Sequence, residues 1–117
     1  MLLADINWEK DIPTAIKIAK KENKVVMLFI ESNNCAWCTK MKKRTLNNEL
    51  VLKKIKSFVS VKAKRKDINA IKSLPKVKYV PTVFFLTPDK KIIEKVTGYF
   101  EVEDFLSYID DVENYKK

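Results

Sequence analysis

An unbroken apolar run, Val25-Val26-Met27-Leu28-Phe29-Ile30, constrains the fold of this chain more than any other segment. Its composition favours a strand, and a charged residue ends it on each side. A run without polar positions predicts a strand that is buried on both faces, as central parallel strands are. We therefore expect an α/β architecture in which this strand lies at the centre of a sheet covered by helices.

The rest of the chain alternates between helical and strand periodicity. Apolar residues at helical spacing predict helices over residues 11–23, 49–57 and 102–115. Helix-forming residues predict a helix over residues 35–46, and a cap at Asp67 with a stop before Pro75 predicts one over residues 67–74. Further strands are predicted over residues 58–63, 79–86 and 91–96. The Asn47-Asn48 pair predicts a kink or a break between the second and third helices. The predicted fold is one domain, residues 1–117, with a mixed central sheet of about four strands flanked by helices on both faces.

The composition excludes several classes of site. The chain contains no His, so it cannot form a Ser-His-Asp or Cys-His catalytic arrangement or an imidazole metal site. It contains one Gly, Gly98, so no G-x-G-x-x-G or Walker-type phosphate loop can be written. The chemistry that remains is that of sulfur, carboxylate or Lys. We expect neither a cofactor nor a metal ion.

Both cysteines lie in one Cys-x-x-Cys, Cys35-Ala36-Trp37-Cys38, at the predicted start of a helix. A zinc site would need further ligands from carboxylates or a second subunit. A static disulfide would stabilise little, because closing so short a loop removes little entropy from the unfolded state. The third interpretation is a redox pair, in which the unpaired N–H groups and the dipole of the helix start lower the pKa of Cys35 below that of a free thiol. Cys35 would then be the nucleophile and Cys38 the resolving thiol.

The net charge of +9 raises the question of nucleic-acid binding. All but two of the 24 basic residues are Lys, whereas recognition of phosphates and bases favours the planar fork of Arg. We therefore expect solvated lysine faces and no nucleic-acid partner. We expect a solvated face for the run Lys40, Lys42, Lys43, Arg44. We expect the same for the run Lys62, Lys64, Arg65, Lys66, with an electrostatic docking patch as the alternative.

Three features in order resemble the thioredoxin-like superfamily. The apolar strand leads to the Cys-x-x-Cys, the stretch Tyr79-Val80-Pro81-Thr82-Val83-Phe84-Phe85 looks like the family's cis-proline strand, and Thr97-Gly98 precedes the last helix. The motif is similar to that of bacterial members with Cys-x-(Tyr/Trp/Phe)-Cys-x-x-Met. The resemblance implies a thioredoxin fold and a thiol-disulfide oxidoreductase. Its partners would be protein thiols and disulfides and a redox partner protein, and we expect a monomer.

The resemblance also implies a substrate-binding surface. Pro81 would be cis and lie against the disulfide, and Val80 would pair its backbone N–H and C=O with an extended substrate. Trp37 is either a core-packed ring or an exposed apolar platform for peptides, and its place at a helix start favours exposure. Thioredoxin carries a buried Asp six residues before its first Cys, where this chain has Phe29. A proton for Cys38 would come instead from solvent or from a group such as Glu31 or Lys62.

No stretch reaches the roughly 18 consecutive apolar residues that a membrane-spanning helix needs, so we expect no membrane span. The start, Met1-Leu2-Leu3-Ala4-Asp5, is too short and lacks the basic region of a signal peptide, but matches the trimmed end of one. No cysteine lies outside the motif, which suits an oxidising compartment. Since the resembled proteins are often exported, we expect a periplasmic location, with the cytoplasm as the alternative.

Two other functions stay open at this point. A thioredoxin-fold module with a static disulfide would bind peptides, or act as a chaperone, through the Trp37 and Pro81 surfaces. Binding of nucleic acid through lysines would show a steep dependence on salt.

Overall fold

Five strands form one sheet in the computed structural model, which describes residues 6–115. The strands are β1 (Trp8–Glu9), β2 (Val26–Glu31), β3 (Val59–Lys64), β4 (Thr82–Leu86) and β5 (Ile92–Thr97). They lie in the order β1-β3-β2-β4-β5. The first three are parallel, β4 is antiparallel to β2, and β5 forms an antiparallel hairpin with β4. The predicted mixed sheet is confirmed. The additional strand is β1, whose two residues are too few to show a periodicity.

The helices are α1 (Ile12–Glu22), α2 (Ala36–Lys40), α3 (Glu49–Ile55), α4 (Ile68–Ile71) and α5 (Val102–Glu113). The predicted kink takes the form of a wider π-helical turn, Met41–Thr45, after which Asn48 begins α3 by accepting the N–H groups of Leu50 and Val51. The helix α4 is four residues shorter than expected from residues 67–74. Asp67 begins it as predicted, and its C-terminal half is replaced by an irregular segment that leads to Pro75.

The two faces of β2 explain why its sequence is apolar without interruption. Val26, Leu28 and Ile30 belong to one buried cluster, together with residues of α1 and α4. Met27 and Phe29 belong to a second cluster on the opposite face, which includes residues of α2, α3 and α5. All five side chains are fully buried. The central strand therefore holds two hydrophobic layers together, and the helix that carries the cysteines packs on the second of them.

The register of the sheet places Pro81 at the end of β2 from which the cysteine loop departs. Thr82 of β4 lies opposite Ile30, so Pro81 comes next to the last residue of β2. The Val80–Pro81 peptide bond is cis. β4 begins three residues later than predicted because residues 79–81 form a turn, in which the Thr82 hydroxyl donates to the Tyr79 carbonyl at 2.6 Å. Met1–Asp5, where a trimmed leader was considered, lie outside the described residues.

Candidate active site

Cys35 and Cys38 form a disulfide at the start of α2. Cys35 is the N-cap residue with extended backbone, and its Sγ atom accepts the N–H of Cys38 at 3.1 Å. Sulfur thus occupies the place that a Ser or Asp oxygen takes in most N-caps. When the disulfide is reduced, the unpaired N–H groups of this first turn are in position to stabilise a thiolate on Cys35. The predicted position of the pair at a helix start is confirmed.

The two sulfur-bearing residues differ in exposure. Cys38 is only 1% exposed and belongs to the hydrophobic cluster that contains Phe29 and Met41. Cys35 is partly exposed and lies at the border of that cluster. A disulfide of another protein therefore has access to Cys35 and not to Cys38. Met41 is fully buried, as expected for a core residue.

An aromatic pair lies beside the disulfide. The indole of Trp37 is 54% exposed, and its ring centroid lies 5.3 Å from that of Tyr99. The Nζ atom of Lys40 lies 4.6 Å from the Trp37 centroid and 5.4 Å from the Tyr99 centroid. The exposure of Trp37 agrees with the expectation from the sequence, whereas the contact with Tyr99 was not predicted. The only local signal for Tyr99 is its position directly after Gly98, where the chain leaves β5.

Gly98 connects the end of β5 to the cis-proline turn. Its N–H donates to the carbonyl of Pro81 at 2.7 Å, with φ at +93°. That backbone conformation is open to Gly and strained for other residues. Val80 is partly exposed, and its N–H and C=O make no hydrogen bond to the described part of the chain. An extended peptide therefore has one free donor and one free acceptor at Val80.

Glu31 ends β2 with a side chain that is 7% exposed. Its Oε1 atom lies 2.6 Å from Nζ of Lys42, and its Oε2 atom lies 3.7 Å from Nζ of Lys64. The carboxylate, both lysines and both cysteines line one open hollow. Of the two residues considered as a proton source, Glu31 borders the cysteine pair, whereas Nζ of Lys62 lies 5.2 Å from the ring centroid of Trp8. Phe29 is buried in the core below.

Across residues 6–115, no group of three or more His, Cys, Asp or Glu side chains is placed to hold a metal ion. Within the same range, no helix has both the length and the apolar character needed to cross a membrane.

The fold and the cysteine geometry agree with the result of a family comparison. Residues 12–113 match the model of the thioredoxin-like domain. The chain belongs to the thioredoxin-like domain family. This thioredoxin-like domain is similar to a solved thioredoxin from Thermus thermophilus, with a TM-score of 0.80 and 20% identity over 95% of this chain and 89% of that one. It is also similar to a disulphide isomerase from Xylella fastidiosa, with a TM-score of 0.75 and 15% identity over 94% of this chain and 98% of that one.

A curated relative from Caenorhabditis elegans, described as an uncharacterized protein, is 30% identical to the thioredoxin-like domain over 110 residues. The match covers 85% of this chain but only 15% of the length of that protein. The two solved structures share the fold of this chain at low sequence identity. What they have in common with it is the sheet, the helices and their order.

Proposed function

We propose that this thioredoxin-like domain is a thiol-disulfide oxidoreductase that acts on other proteins. The observation that carries the proposal is the asymmetry of the cysteine pair. Cys35 is accessible and its sulfur accepts a backbone N–H of the helix start, while Cys38 lies buried one turn along. An exposed stabilised thiolate with a sheltered second thiol is the arrangement that disulfide exchange requires.

The reaction proceeds in two exchanges. In the reduced protein the Cys35 thiolate attacks one sulfur of a substrate disulfide, and the other substrate sulfur leaves as a thiolate and takes a proton from solvent. Cys38 then loses its proton to solvent and attacks Sγ of Cys35. This attack breaks the mixed disulfide and releases the second substrate sulfur as a thiolate, which takes a proton from solvent. Two electrons pass to the substrate, and the Cys35–Cys38 disulfide remains. In reverse, the same steps oxidise a substrate dithiol.

Both directions need a redox partner protein to restore the starting state. A dithiol protein would reduce the Cys35–Cys38 disulfide again, or a disulfide protein would oxidise the pair. The chain itself supplies all the sulfur chemistry, so we propose that it works without a cofactor. The direction of electron flow follows from its reduction potential relative to that of the partner.

We further propose that the substrate lies along Val80, Pro81 and Trp37. The free N–H and C=O of Val80 suit backbone pairing with an extended segment, which is a common way to hold peptides without reading their sequence. The exposed indole offers an apolar surface for a neighbouring side chain. Pro81 has its carbonyl occupied by Gly98 and would contribute its ring rather than a hydrogen bond.

We also propose the domain organisation, the oligomeric state and the cellular location of the protein. The family match over residues 12–113 supports a single domain, which we propose to be a monomer. The absence of cysteines outside the pair supports an oxidising compartment such as the periplasm, because additional thiols would mispair there. A reducing potential of the pair would favour the cytoplasm instead.

Reduction of insulin by dithiothreitol tests the proposal. The wild-type protein should accelerate the reaction, and Cys35→Ser should abolish the acceleration. Cys38→Ser serves as the matched control, because it retains the attacking thiol and should accumulate a mixed disulfide with the substrate, which Cys35→Ser cannot form. Equal behaviour of wild type and Cys35→Ser would support the second candidate function, a peptide-binding module that uses the exposed Trp37 and the free Val80 backbone.

A further inference from the structure

A groove of about 780 Å³ lies next to the turn that carries Val80. Its apolar lining comes from α4 and the segment after it and includes Ile68, Leu74 and Val77. Three lysines, Lys72, Lys76 and Lys78, line it together with Arg65. We call this feature the basic groove. It combines an apolar surface with four positive charges, and none of the described residues that line it is acidic.

The ammonium groups of the groove lysines have no acidic partner in the described part of the chain. None of the three forms an ion pair with any residue between 6 and 115. The chain from Lys62 to Lys78 carries seven basic residues and one acid, Asp67. The Asp67 carboxylate accepts the N–H of Ala70 at the start of α4 and does not line the groove. The positive potential of the basic groove is therefore uncompensated and complementary to an anionic ligand.

Two large apolar side chains beside these charges are exposed to solvent. Ile68 is 72% exposed, and Tyr79 is 67% exposed. Side chains of this size at a rim of charged residues are typical of surfaces that contact other proteins. The ligand that fits the basic groove thus carries acidic and apolar side chains together.

Arg65 connects the basic groove to the candidate active site. Its backbone N–H donates to the carbonyl of Glu31 at 2.8 Å, and its Nη1 atom donates to the carbonyl of Lys78 at 2.9 Å. Val80 follows two residues after Lys78, so the two are separated by at most about 7 Å, the length of two residues of extended chain. A peptide that pairs with Val80 therefore lies within a few residues of the basic groove.

We propose that the basic groove binds an acidic segment that flanks the disulfide of the substrate protein. This inference rests on the proposed function and names its substrate class: disulfides with Asp or Glu and an apolar residue within a few positions. Protein is favoured over nucleic acid because only one of the four cations is Arg, and its guanidinium is already bonded to the Lys78 carbonyl. The three lysines act as point charges, which suits carboxylates distributed along a flexible segment.

Two disulfide-linked peptides test the proposal, one with Asp and Glu beside the cysteine and one with Asn and Gln at the same positions. The rate constant of exchange with the reduced protein is measured at low and at high salt. The variant Lys72→Gln, Lys76→Gln, Lys78→Gln removes the free charges of the basic groove. Its matched control is Lys17→Gln, Lys20→Gln, Lys21→Gln, which removes three exposed charges from α1. The two triple variants therefore have the same net charge as each other.

At low salt the wild-type protein should prefer the acidic peptide by about ten-fold, and high salt should remove most of the preference. The groove variant should lose the preference, whereas the α1 variant should retain it. Exchange with the neutral peptide should be the same in all three proteins. Equal rates of wild type with the two peptides, or equal losses in the two variants, would overturn the inference.

A binding measurement separates this inference from the proposed function. The acidic peptide with Ser in place of Cys carries a fluorophore, and its anisotropy reports binding without any exchange. Binding that the groove variant loses, together with no exchange of either disulfide peptide, would refute the oxidoreductase and retain the groove. The groove would be refuted as an acidic-peptide site if the wild type does not bind the peptide. It would also be refuted if a single-stranded oligonucleotide displaces the peptide at a lower concentration than an acidic competitor peptide does.

Discussion

The Nζ atom of Lys42 lies 2.6 Å from Oε1 of Glu31, and this ion pair borders the hollow that contains Cys35 and Cys38. Lys42 comes from the π-helical turn after α2, and Glu31 is the last residue of β2. The pair therefore connects the helix that carries the cysteines to the central strand of the sheet. Lys64 approaches the second oxygen of the same carboxylate from β3.

Glu31→Gln should destabilise the protein. The substitution removes the charge that two lysines face while the side chain stays nearly buried, and the lysines are only partly exposed. The expected loss is about 1–2 kcal/mol in the free energy of unfolding, less than for a fully buried pair because solvent screens both lysines. Urea denaturation measures it. The control is Glu22→Gln in the exposed pair with Lys24, for which the loss should stay below about 0.5 kcal/mol. Equal losses would contradict the prediction.

Much of the fold could be predicted because the spacing of apolar residues along the chain follows which side chains are buried. The unbroken run in β2 is apolar because Leu28 and Phe29 face two different hydrophobic clusters. Short stretches of sequence likewise predicted three other features: the cysteine pair at a helix start, the antiparallel hairpin and the exposure of Trp37. Each of these features depends on neighbours within a few residues of the chain.

The remaining features depend on residues that meet only in the folded chain. Tyr99 reaches Trp37 through the loop after β5, and no spacing in the sequence records that contact. The suggested docking patch around Lys62 shows the same difficulty. Nζ of Lys62 lies over the ring of Trp8 and Lys64 faces Glu31, whereas the unpaired lysines that line a groove come later, at positions 72, 76 and 78.

Trp37→Ala should slow exchange with protein disulfides and leave exchange with small disulfides unchanged. The exposed indole can contact a polypeptide substrate next to the attacked sulfur, but a small disulfide does not reach across it. The expected decrease in kcat/KM for insulin is about five- to ten-fold, the value of one aromatic contact. Tyr115→Ala, which removes another exposed aromatic ring at the end of the described chain, is the control and should have no effect. An equal decrease in kcat/KM for a small disulfide would contradict the prediction, because it would show that Trp37 affects the reactivity of the Cys35 sulfur and not the binding of a polypeptide.

Gly98→Ala should destabilise the protein although the space for a methyl group is free. No atom lies within 4 Å of the position that a Cβ would take, so any loss comes from the backbone at φ +93°. A loss of about 1–2 kcal/mol is expected in thermal or urea unfolding, from the steric cost of positive φ. Gly98→Asn should lose less, because Asn tolerates positive φ better than Ala. Equal stability of the Ala variant and the wild type would show that the backbone adjusts, and the Gly98–Pro81 hydrogen bond would then be the first contact to examine.

Asp11 should make a pH-dependent contribution to stability. Hydrogen bonding to Thr14, through its side chain first and its backbone N–H second, holds the pKa of Asp11 below its ordinary value of 3.8. A lowered pKa in the folded state means that the stabilisation is present above the unfolded value and is lost as the pH falls through the folded one. The difference in Tm between the wild type and Asp11→Ala should be constant above about pH 5 and decrease below pH 4. Asp11→Asn retains a capping oxygen that does not titrate, so its difference from Asp11→Ala should not change over the same range.

The reduction potential of the Cys35–Cys38 pair should lie above the value of about −270 mV typical of thioredoxin. Three features of the site stabilise the reduced form: the N–H of Cys38 directed at the Cys35 sulfur, the excess of two lysines over one carboxylate in the same hollow, and Phe29 where thioredoxin has a carboxylate. Stabilising the thiolate of the reduced protein makes the disulfide a stronger oxidant. Titration against glutathione, followed by thiol trapping, measures the potential.

Glu31→Gln provides the internal comparison for this measurement. Removing the carboxylate leaves the charges of Lys42 and Lys64 uncompensated beside Cys35, so the potential should rise further, by about 15–30 mV, equivalent to about 0.7–1.4 kcal/mol for two electrons. Glu22→Gln, remote from the hollow, should leave it unchanged. A wild-type potential at or below −270 mV, or a decrease in Glu31→Gln, would show that these charges do not control the thiolate. A wild-type potential of about −180 to −120 mV would make the protein an oxidant or isomerase of its substrates, and its redox partner would then be a protein that accepts electrons.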